Sequence, residues 1–415
     1  AGLDMLPFLI HDFSYRGMFG DEAAKMSAFS HIAMGNCGTD TLPVLEFAED
    51  YYGADIMNEF VACSVPATEH STATSYIMAY AEEHGVSKLQ AEVEYVRYLF
   101  TKVPDASIVS HVSDSYDFWA FVEFGLPQLK DEILSREGKL VIRPDSGDPT
   151  DILCGTEAKS LSYIVKDFDE WKVCVADQMD DLFRNNLDAE NPHYNEVELY
   201  SYDGKTYTVE YIPDLNRHDK QYYYVDNYGS DVSKCTFVER ETSAADKGLV
   251  QCLAEMFDTT VTPNGFELLN PHIGAIYGDA ITLQRQADIY SRLEAKFLVP
   301  MVVLGVGSYS FQMVTRDTHG SAVKATNAAI EVIPKSPEDA YVFDLPICKD
   351  PKTDPTKKSA TGLLRVEREN GKLVQYDRQS RDQAAGGLLQ VVYKDGQLLR
   401  KTTLAEIRAT VAAQL

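Results

Sequence analysis

Five short apolar runs, each closing on glycine or on small polar and charged residues, restrict this chain to few architectures. Phe60 to Val65 leads into Pro66-Ala67-Thr68-Glu69-His70-Ser71, and Ser107 to Val112 leads into Ser113-Asp114-Ser115. Leu140 to Ile142 leads into Arg143-Pro144-Asp145-Ser146-Gly147-Asp148. Gly274 to Tyr277 leads into Gly278-Asp279, and Met301 to Leu304 into Gly305-Val306-Gly307-Ser308. Between them lie stretches of helical periodicity, Leu89 to Thr101 and Leu283 to Lys296 among them. Near-continuous apolar strands alternating with amphipathic helices predict parallel βα units. Polar residues gathered at the C-terminal ends of five strands predict an α/β fold, a (β/α) barrel with its site at that face. A doubly wound sheet would concentrate function at one switch point instead.

The pattern covers residues 1–154 and 246–330, which are expected to form the barrel core. Residues 155–245 break it. Val165 to Asn186 reads as an acidic amphipathic helix, and Val197 to Tyr202 and Lys205 to Ile212 as a hairpin turning at Asp203-Gly204. This segment is expected to be an inserted acidic, Tyr-rich lobe. Its tyrosines, Tyr222-Tyr223-Tyr224 included, are expected to cover a hydrophobic face rather than bind a ligand. Residues 331–415 begin as a Pro-punctuated connection. They continue as two hairpins turning at Asn370-Gly371 and Asp395-Gly396, and end in a helix over Leu404 to Ala413, forming a smaller β-containing domain.

Thirty-eight basic against 64 acidic residues give a net charge of −26, which argues against nucleic acid or an anionic membrane as partner. The longest apolar run, Phe297 to Val306, is too short to cross a bilayer. Seven cysteines with no C-x-x-C pair point to a reducing compartment and away from a zinc site. With no signal peptide visible over Ala1 to Ile10, a cytoplasmic protein is expected. The chain starts at Ala1-Gly2-Leu3 without an initiator Met, as expected of a fragment or a processed product.

The chemistry-bearing residues cluster at the run ends. Asp114, Asp145 and Asp279 follow three different strands, so barrel closure brings three carboxylates to one rim, where a cation or a polyol would relieve their repulsion. Any one of them can equally be a helix N-cap, and Arg143 with Asp145 can be a plain ion pair closing a loop. Gly305-Val306-Gly307-Ser308 can expose backbone N–H groups to a phosphate, with Arg316 and Lys324 downstream as further cations. The same glycines serve tight strand–helix packing. His70, at a strand end, is either a packing histidine or a nucleophile or acid–base group. In His11-Asp12-Phe13-Ser14-Tyr15-Arg16-Gly17, aromatic rings alternate with charge. That suits stacking on a planar ring beside a phosphate, and equally two core aromatics beside a surface Arg.

Taken together, the runs HDFSYRG at 11–17, GTDT at 38–41, SVPATEHST at 64–72, VSDSYD at 112–117 and IRPDSGDP at 142–149 resemble the nicotinamide phosphoribosyltransferases, of the type II phosphoribosyltransferase family. YGDAITLQ at 277–284, QMVTRD at 312–317 and KDPKTDPTKKS at 349–359 continue the resemblance in order, leaving out 155–245. It implies formation of nicotinamide mononucleotide and pyrophosphate from nicotinamide and phosphoribosyl pyrophosphate, with Mg²⁺ bound through the substrate phosphates and ATP hydrolysis raising the yield. It further implies that Phe13 stacks on nicotinamide and that Asp40 accepts from the carboxamide. Arg16, Arg143, Asp145, Gly278, Asp279, Gly307 and Ser308 would line the ribose and 5′-phosphate site. Arg316, Lys324 and Lys357 would meet pyrophosphate or ATP phosphates. His70 would be the residue ATP phosphorylates, with Asp114 and Ser110 in its supporting network. Ser308, Ala322 and Ser14 depart from the family's usual Gly, Ser and Gly. The resemblance also implies a head-to-tail homodimer with a shared site, completed by an aromatic from an N-terminal portion that this chain does not match. Nicotinate phosphoribosyltransferase is the nearest alternative, and an ionised Asp40 argues against it by repelling nicotinate. A non-catalytic fragment that binds nucleotides or phosphoribosyl pyrophosphate is the alternative from another class.

Overall fold

The computed structural model describes residues 3–161, 165–186, 196–212, 215–218, 221–224, 232–278, 281–314, 324–332 and 340–413. The fold is mixed α/β, with a curled parallel half-barrel sheet and several small antiparallel sheets. The chain divides into two compact units, one of residues Ala1–Leu3, Gly147–Tyr277 and Ile281–Val302, the other of Asp4–Ser146, Gly278–Ala280 and Val303–Leu415. The expected boundaries at 154, 245 and 330 therefore fall inside compact units. The helix Pro149–Cys154 is held within the first unit, where Arg292 reaches Asp151 at 3.0 Å and the Cys154 thiol lies 3.5 Å from the Ile289 carbonyl.

In the first unit, strands Glu196–Tyr202, Lys205–Tyr211 and Cys235–Arg240 form an antiparallel sheet under the helix Phe168–Asn186. Asp203 and Gly204, with φ of 49° and 75°, make the expected two-residue turn. Alternation along these strands places Tyr200, Tyr207 and Tyr211 against Trp171, Val175, Met179 and Phe183, a core separate from the parallel strands. These tyrosines are packing residues. The side chains of Tyr222, Tyr223 and Tyr224 lie outside those described.

In the second unit, Ile10–Asp12 runs parallel between Gly38–Thr39 and Val303–Val306, and Ile108–Val112 runs parallel to Lys139–Arg143. Helices His70–His84 and Lys88–Lys102 pack over the latter pair through Ala73, Ile77, Ala91, Tyr95 and Val112. Each such buried aliphatic side chain contributes about 1.5–3 kcal/mol relative to exposure. Residues 331–415 belong to this unit, and their hairpins turn at Asn370-Gly371 and Asp395-Gly396 as expected.

Two expectations about strands are corrected. Phe60 to Val65 is no strand; among the described residues this stretch and its exit pair in β fashion only at the isolated bridges Gly38↔Cys63 and Ala67↔Ser110. The expected strand Met301 to Leu304 is shifted to Val303–Val306 because Leu304, Gly305 and Val306 pair with Ile10, His11 and Asp12. Gly305 and Val306 thus belong to the strand rather than to a phosphate loop. The short helix Ser308–Gln312 follows the strand and ends where Met313 turns left-handed. Among the described residues no helix is long and apolar enough to cross a membrane, and all seven cysteines are free thiols.

Candidate functional site

Apart from Asp148 and Thr150, the groups described here belong to the second unit. The strand Ile108–Val112 ends in Ser113-Asp114-Ser115, all fully buried. Glu69 caps the helix that follows it, its carboxylate accepting from the Ser71 N–H at 2.7 Å, so that His70 opens the helix. From there His70 Nε2 meets Asp114 Oδ1 at 2.9 Å. Asp114 Oδ2 accepts from the Ser146 hydroxyl and pairs with Lys349 Nζ at 3.2 Å. Burial alone would raise the Asp114 carboxyl, but His70, Lys349 and Ser146 outweigh it and hold it well below the usual carboxylate range. The result is an anionic Asp114 that fixes one face of a partly exposed imidazole and leaves Nδ1 as the nitrogen not committed to it.

The second strand of the pair, Lys139–Arg143, delivers Arg143 and Asp145. Arg143 Nη2 donates to the Thr68 carbonyl at 2.8 Å, and its Nε stands 3.8 Å from Asp145 Oδ2. The ion pair is therefore loose, and one buried guanidinium N–H, at Nε, makes no hydrogen bond among the described residues. Lys357 Nζ donates to the Asp145 carbonyl, bringing a distant lysine to the same loop. Gly278 is required by close approach, since a Cβ there would lie 2.8 Å from Asp145 Oδ1. Gly305 is required likewise, because its Cβ would lie 2.6 Å from the Phe13 ring and 2.8 Å from the Gly278 Cα. Gly305→Ala is expected to displace the Phe13 ring and the Gly278 backbone and to cost about 1–3 kcal/mol of stability. Chemical denaturation measures this; an unchanged unfolding free energy would show that the close approach at Gly305 is not tight.

Asp40 lies beside Phe13's neighbour His11. His11 Nε2 and Ser64 Oγ reach Asp40 Oδ1 at 2.8 and 2.6 Å, and the His11 and Phe13 rings stand 4.5 Å apart. Partial burial would raise the Asp40 carboxyl, but these two hydrogen bonds and the charge of Arg143 leave it lowered, so Asp40 is ionised near neutral pH. Its side chain remains nearly half exposed, open to a ligand amide.

The remaining expected residues divide. Gly307 caps the short helix Ser308–Gln312, and a Cβ there would meet nothing within 4 Å, so space opens in front of it. Ser308 is buried, and its hydroxyl donates to the Val314 carbonyl at 3.2 Å, a packing arrangement. The Ser110 hydroxyl is buried without a partner among the described residues, and the serine that reaches Asp114 is Ser146. Arg16 is exposed at Tyr15–Gly17, close enough for its charge to lower Glu69. Lys324 is exposed. Asp279 and Arg316 lie outside the described residues. Asp148, the second carboxylate of the Arg143–Asp148 run, is an N-cap accepting from the Thr150 N–H at 2.8 Å. Sequence reasoning did not single out Lys349, Ser146 or His11, although each lies in a run quoted for the resemblance.

Comparison with known proteins fits this geometry. The profile of the nicotinate phosphoribosyltransferase (NAPRTase) family matches residues 8–190 and 230–397, omitting only 191–229 of the Tyr-rich segment and the chain ends. A nicotinamide phosphoribosyltransferase of Acinetobacter baylyi is 35% identical over 413 residues, 98% of this chain and 61% of that protein. One of Xanthomonas campestris is 27% identical over 97% of this chain and 62% of its own length. One of Mycoplasma pneumoniae is 27% identical over 86% of this chain and 53% of its own length. The chain thus spans between about half and three fifths of the length of these curated relatives. The chain belongs to the nicotinate phosphoribosyltransferase (NAPRTase) family.

Proposed function

We propose that this chain carries the catalytic part of a nicotinamide phosphoribosyltransferase, built on a (β/α) barrel. It would join nicotinamide to the ribose of phosphoribosyl pyrophosphate, release pyrophosphate and couple the step to ATP. The observation that carries this reading is the convergence of His70 on a buried, ionised Asp114 in the unit that also holds Arg143, Asp145 and the Phe13 platform. Phe13 stacks the base and Asp40 accepts from its carboxamide N–H. The pyridine nitrogen forms a bond to the anomeric carbon as the carbon–oxygen bond to pyrophosphate breaks. Positive charge grows on the ribose ring and is met by Asp145, while Arg143 and Lys357 face phosphate oxygens. By the family resemblance, Arg16, Gly278, Asp279, Gly307 and Ser308 would contribute to the ribose phosphate pocket, with Arg316 and Lys324 serving the leaving group.

Mg²⁺, when bound, would neutralise diphosphate charge. Asp145 offers the hard oxygen that this ion takes, and no three His, Cys, Asp or Glu side chains converge as a metal cage among the described residues. The ion would therefore be held mainly by substrate phosphates with Asp145 beside them. ATP would phosphorylate His70 at Nδ1, because Asp114 occupies Nε2. We further propose a cytoplasmic homodimer with shared sites. A strictly monomeric full-length protein that still turns over would remove the shared-site part of this reading.

Nicotinate is the competing base, and Asp40 is the discriminator. An ionised carboxylate there accepts from an amide and repels a second carboxylate, worth about one to two orders of magnitude in kcat/KM. Asp40→Ser should shift the nicotinamide-to-nicotinate ratio toward nicotinate, measured by mononucleotide formation from each base. A wild-type preference for nicotinate would overturn the nicotinamide assignment.

A further inference from the structure

The segment that leads to His70 leaves the strand Ile108–Val112 with one hydrogen bond exchanged. Ser110 N–H donates to the Pro66 carbonyl and Thr68 N–H to the Ser110 carbonyl, each at 2.9 Å. These bonds begin a parallel ladder, in which the next would run from the Val112 N–H to the Thr68 carbonyl. Here the Val112 N–H donates instead to the Thr68 hydroxyl, Oγ1, at 2.8 Å. A side-chain oxygen thus stands in for a main-chain one. The Thr68 carbonyl released by this exchange accepts from Arg143 Nη2 at 2.8 Å. It is a principal hold on that guanidinium, whose Nε has no hydrogen-bond partner among the described residues and stands 3.8 Å from Asp145.

The hydroxyl is held in this role by a buried pair that the proposed reaction does not use. His111 Nδ1 lies 3.4 Å from Thr68 Oγ1, and its Nε2 lies 3.1 Å from Glu92 Oε1. Thr68, Glu92 and His111 are all buried. Burial lowers His111 to about 3, so its imidazole is neutral, with one nitrogen donating and the other accepting. Burial first, then the charges of Asp114 and Asp117, push the Glu92 carboxyl well above the usual carboxylate range. A protonated Glu92 donates to Nε2, which leaves the imidazole proton on Nδ1, toward Thr68. Oγ1 then accepts from both the Nδ1–H and the Val112 N–H, as a carbonyl oxygen with two lone pairs would. Tyr95 and Phe121 meet the His111 ring edge-on, with centroids 5.8 and 5.4 Å away, and fix its plane.

We infer that Thr68, held by the His111–Glu92 pair, is a positioning residue that seats the Arg143 guanidinium. Its hydroxyl occupies the Val112 N–H and so keeps its carbonyl for Arg143. The consequence for substrate rests on the proposed function, in which Arg143 faces phosphate oxygens.

Thr68→Val keeps the side-chain shape and removes the hydroxyl, so the Val112 N–H should reclaim the Thr68 carbonyl and release Arg143. Binding of phosphoribosyl pyrophosphate, titrated calorimetrically into the full chain, should weaken about tenfold, while Thr68→Ser should stay within about twofold of the wild type. His111→Phe loses the Nδ1 donor and should weaken binding in the same direction, which decides the matter where Thr68→Val does not fold. In an Arg143→Ala background, Thr68→Val should not weaken binding further. It should also cost less stability there than in the wild type, measured by chemical denaturation, because the carbonyl is already free for Val112. Equal stability costs in the two backgrounds overturn the inference. So does a Thr68→Ser variant as impaired as Thr68→Val, or a Thr68→Val variant that binds normally where Arg143→Ala does not. Unequal costs uphold the seating even where phosphoribosyl pyrophosphate binds Arg143→Ala as tightly as the wild type, and that result defeats the phosphate role of Arg143 instead.

Discussion

His70→Ala is expected to remove ATP hydrolysis, and with it the ATP-driven rise in mononucleotide yield, while leaving binding of the base and of phosphoribosyl pyrophosphate nearly intact. On the proposed reading the His70 imidazole takes the phosphoryl on Nδ1, so ADP formation should fall by about three orders of magnitude. The fold should survive. Asp114 keeps Ser146 and Lys349 as partners, and the lost hydrogen bond accounts for roughly 1–2 kcal/mol. A packing histidine would behave in the opposite way, with stability falling sharply and ATP coupling persisting in whatever stayed folded. Labelled ATP separates the two cases, because phosphohistidine is acid-labile and should appear on the wild type and be absent from the variant. An active full-length enzyme that never carries such label would defeat the role given to His70.

Much of this site was legible because its local signals are strong. The apolar runs around Ile108–Val112 and Lys139–Arg143 read as strands and are strands, and Asp114, which closes the first, does meet His70, which follows the run Phe60 to Val65. The strand Ile10–Asp12 was invisible to hydropathy, since two of its three residues are polar. They are buried only because their partners come from elsewhere in the chain: Asp12 accepts from the Ser14 N–H at 2.9 Å and from Thr39 Oγ1 at 2.8 Å. That unseen pairing is also what shifted the strand at Val303–Val306. Phe60 to Val65 failed for the converse reason, an apolar run with too few backbone partners to become a strand. Lys349 could not be singled out from local pattern, because its partner Asp114 is distant in sequence and only packing brings them together. The resemblance implies Ser110 in the network around His70, whereas the hydroxyl that reaches the Asp114 carboxylate is that of Ser146, from the neighbouring strand's exit loop.

Asp114→Asn should impair both stability and phosphoryl transfer, and pH should separate the two losses. Three donors converge on the Asp114 oxygens, from His70 Nε2, Ser146 Oγ and Lys349 Nζ. An amide offers one acceptor and a donor in their place, leaving the partly buried Lys349 ammonium without its counter-charge beside a fully buried position. Breaking a buried pair in this way costs about 3–5 kcal/mol, on the order of a 10 °C fall in Tm. The amide can also donate to Nε2, which moves the imidazole proton onto Nδ1 and blocks the nucleophile, so phosphoryl transfer should drop about 10³–10⁴-fold. For the sign with pH, Asp114 has a folded pKa below its unfolded value. Its stabilisation is therefore fully present above about pH 4 and lost as pH falls through the folded value. The buried His111, lowered to about 3 mainly by burial, acts over a different window. The unfolded chain takes up its proton first, so stability declines as pH falls from about 6.5 toward 3 in wild type and variant alike. The difference in unfolding free energy between wild type and Asp114→Asn should hence stay flat from pH 8 to 5 and shrink below about 4. Chemical denaturation across that range measures it, and a gap that persists undiminished down to pH 2 would show that the carboxylate does not stabilise the fold through its charge.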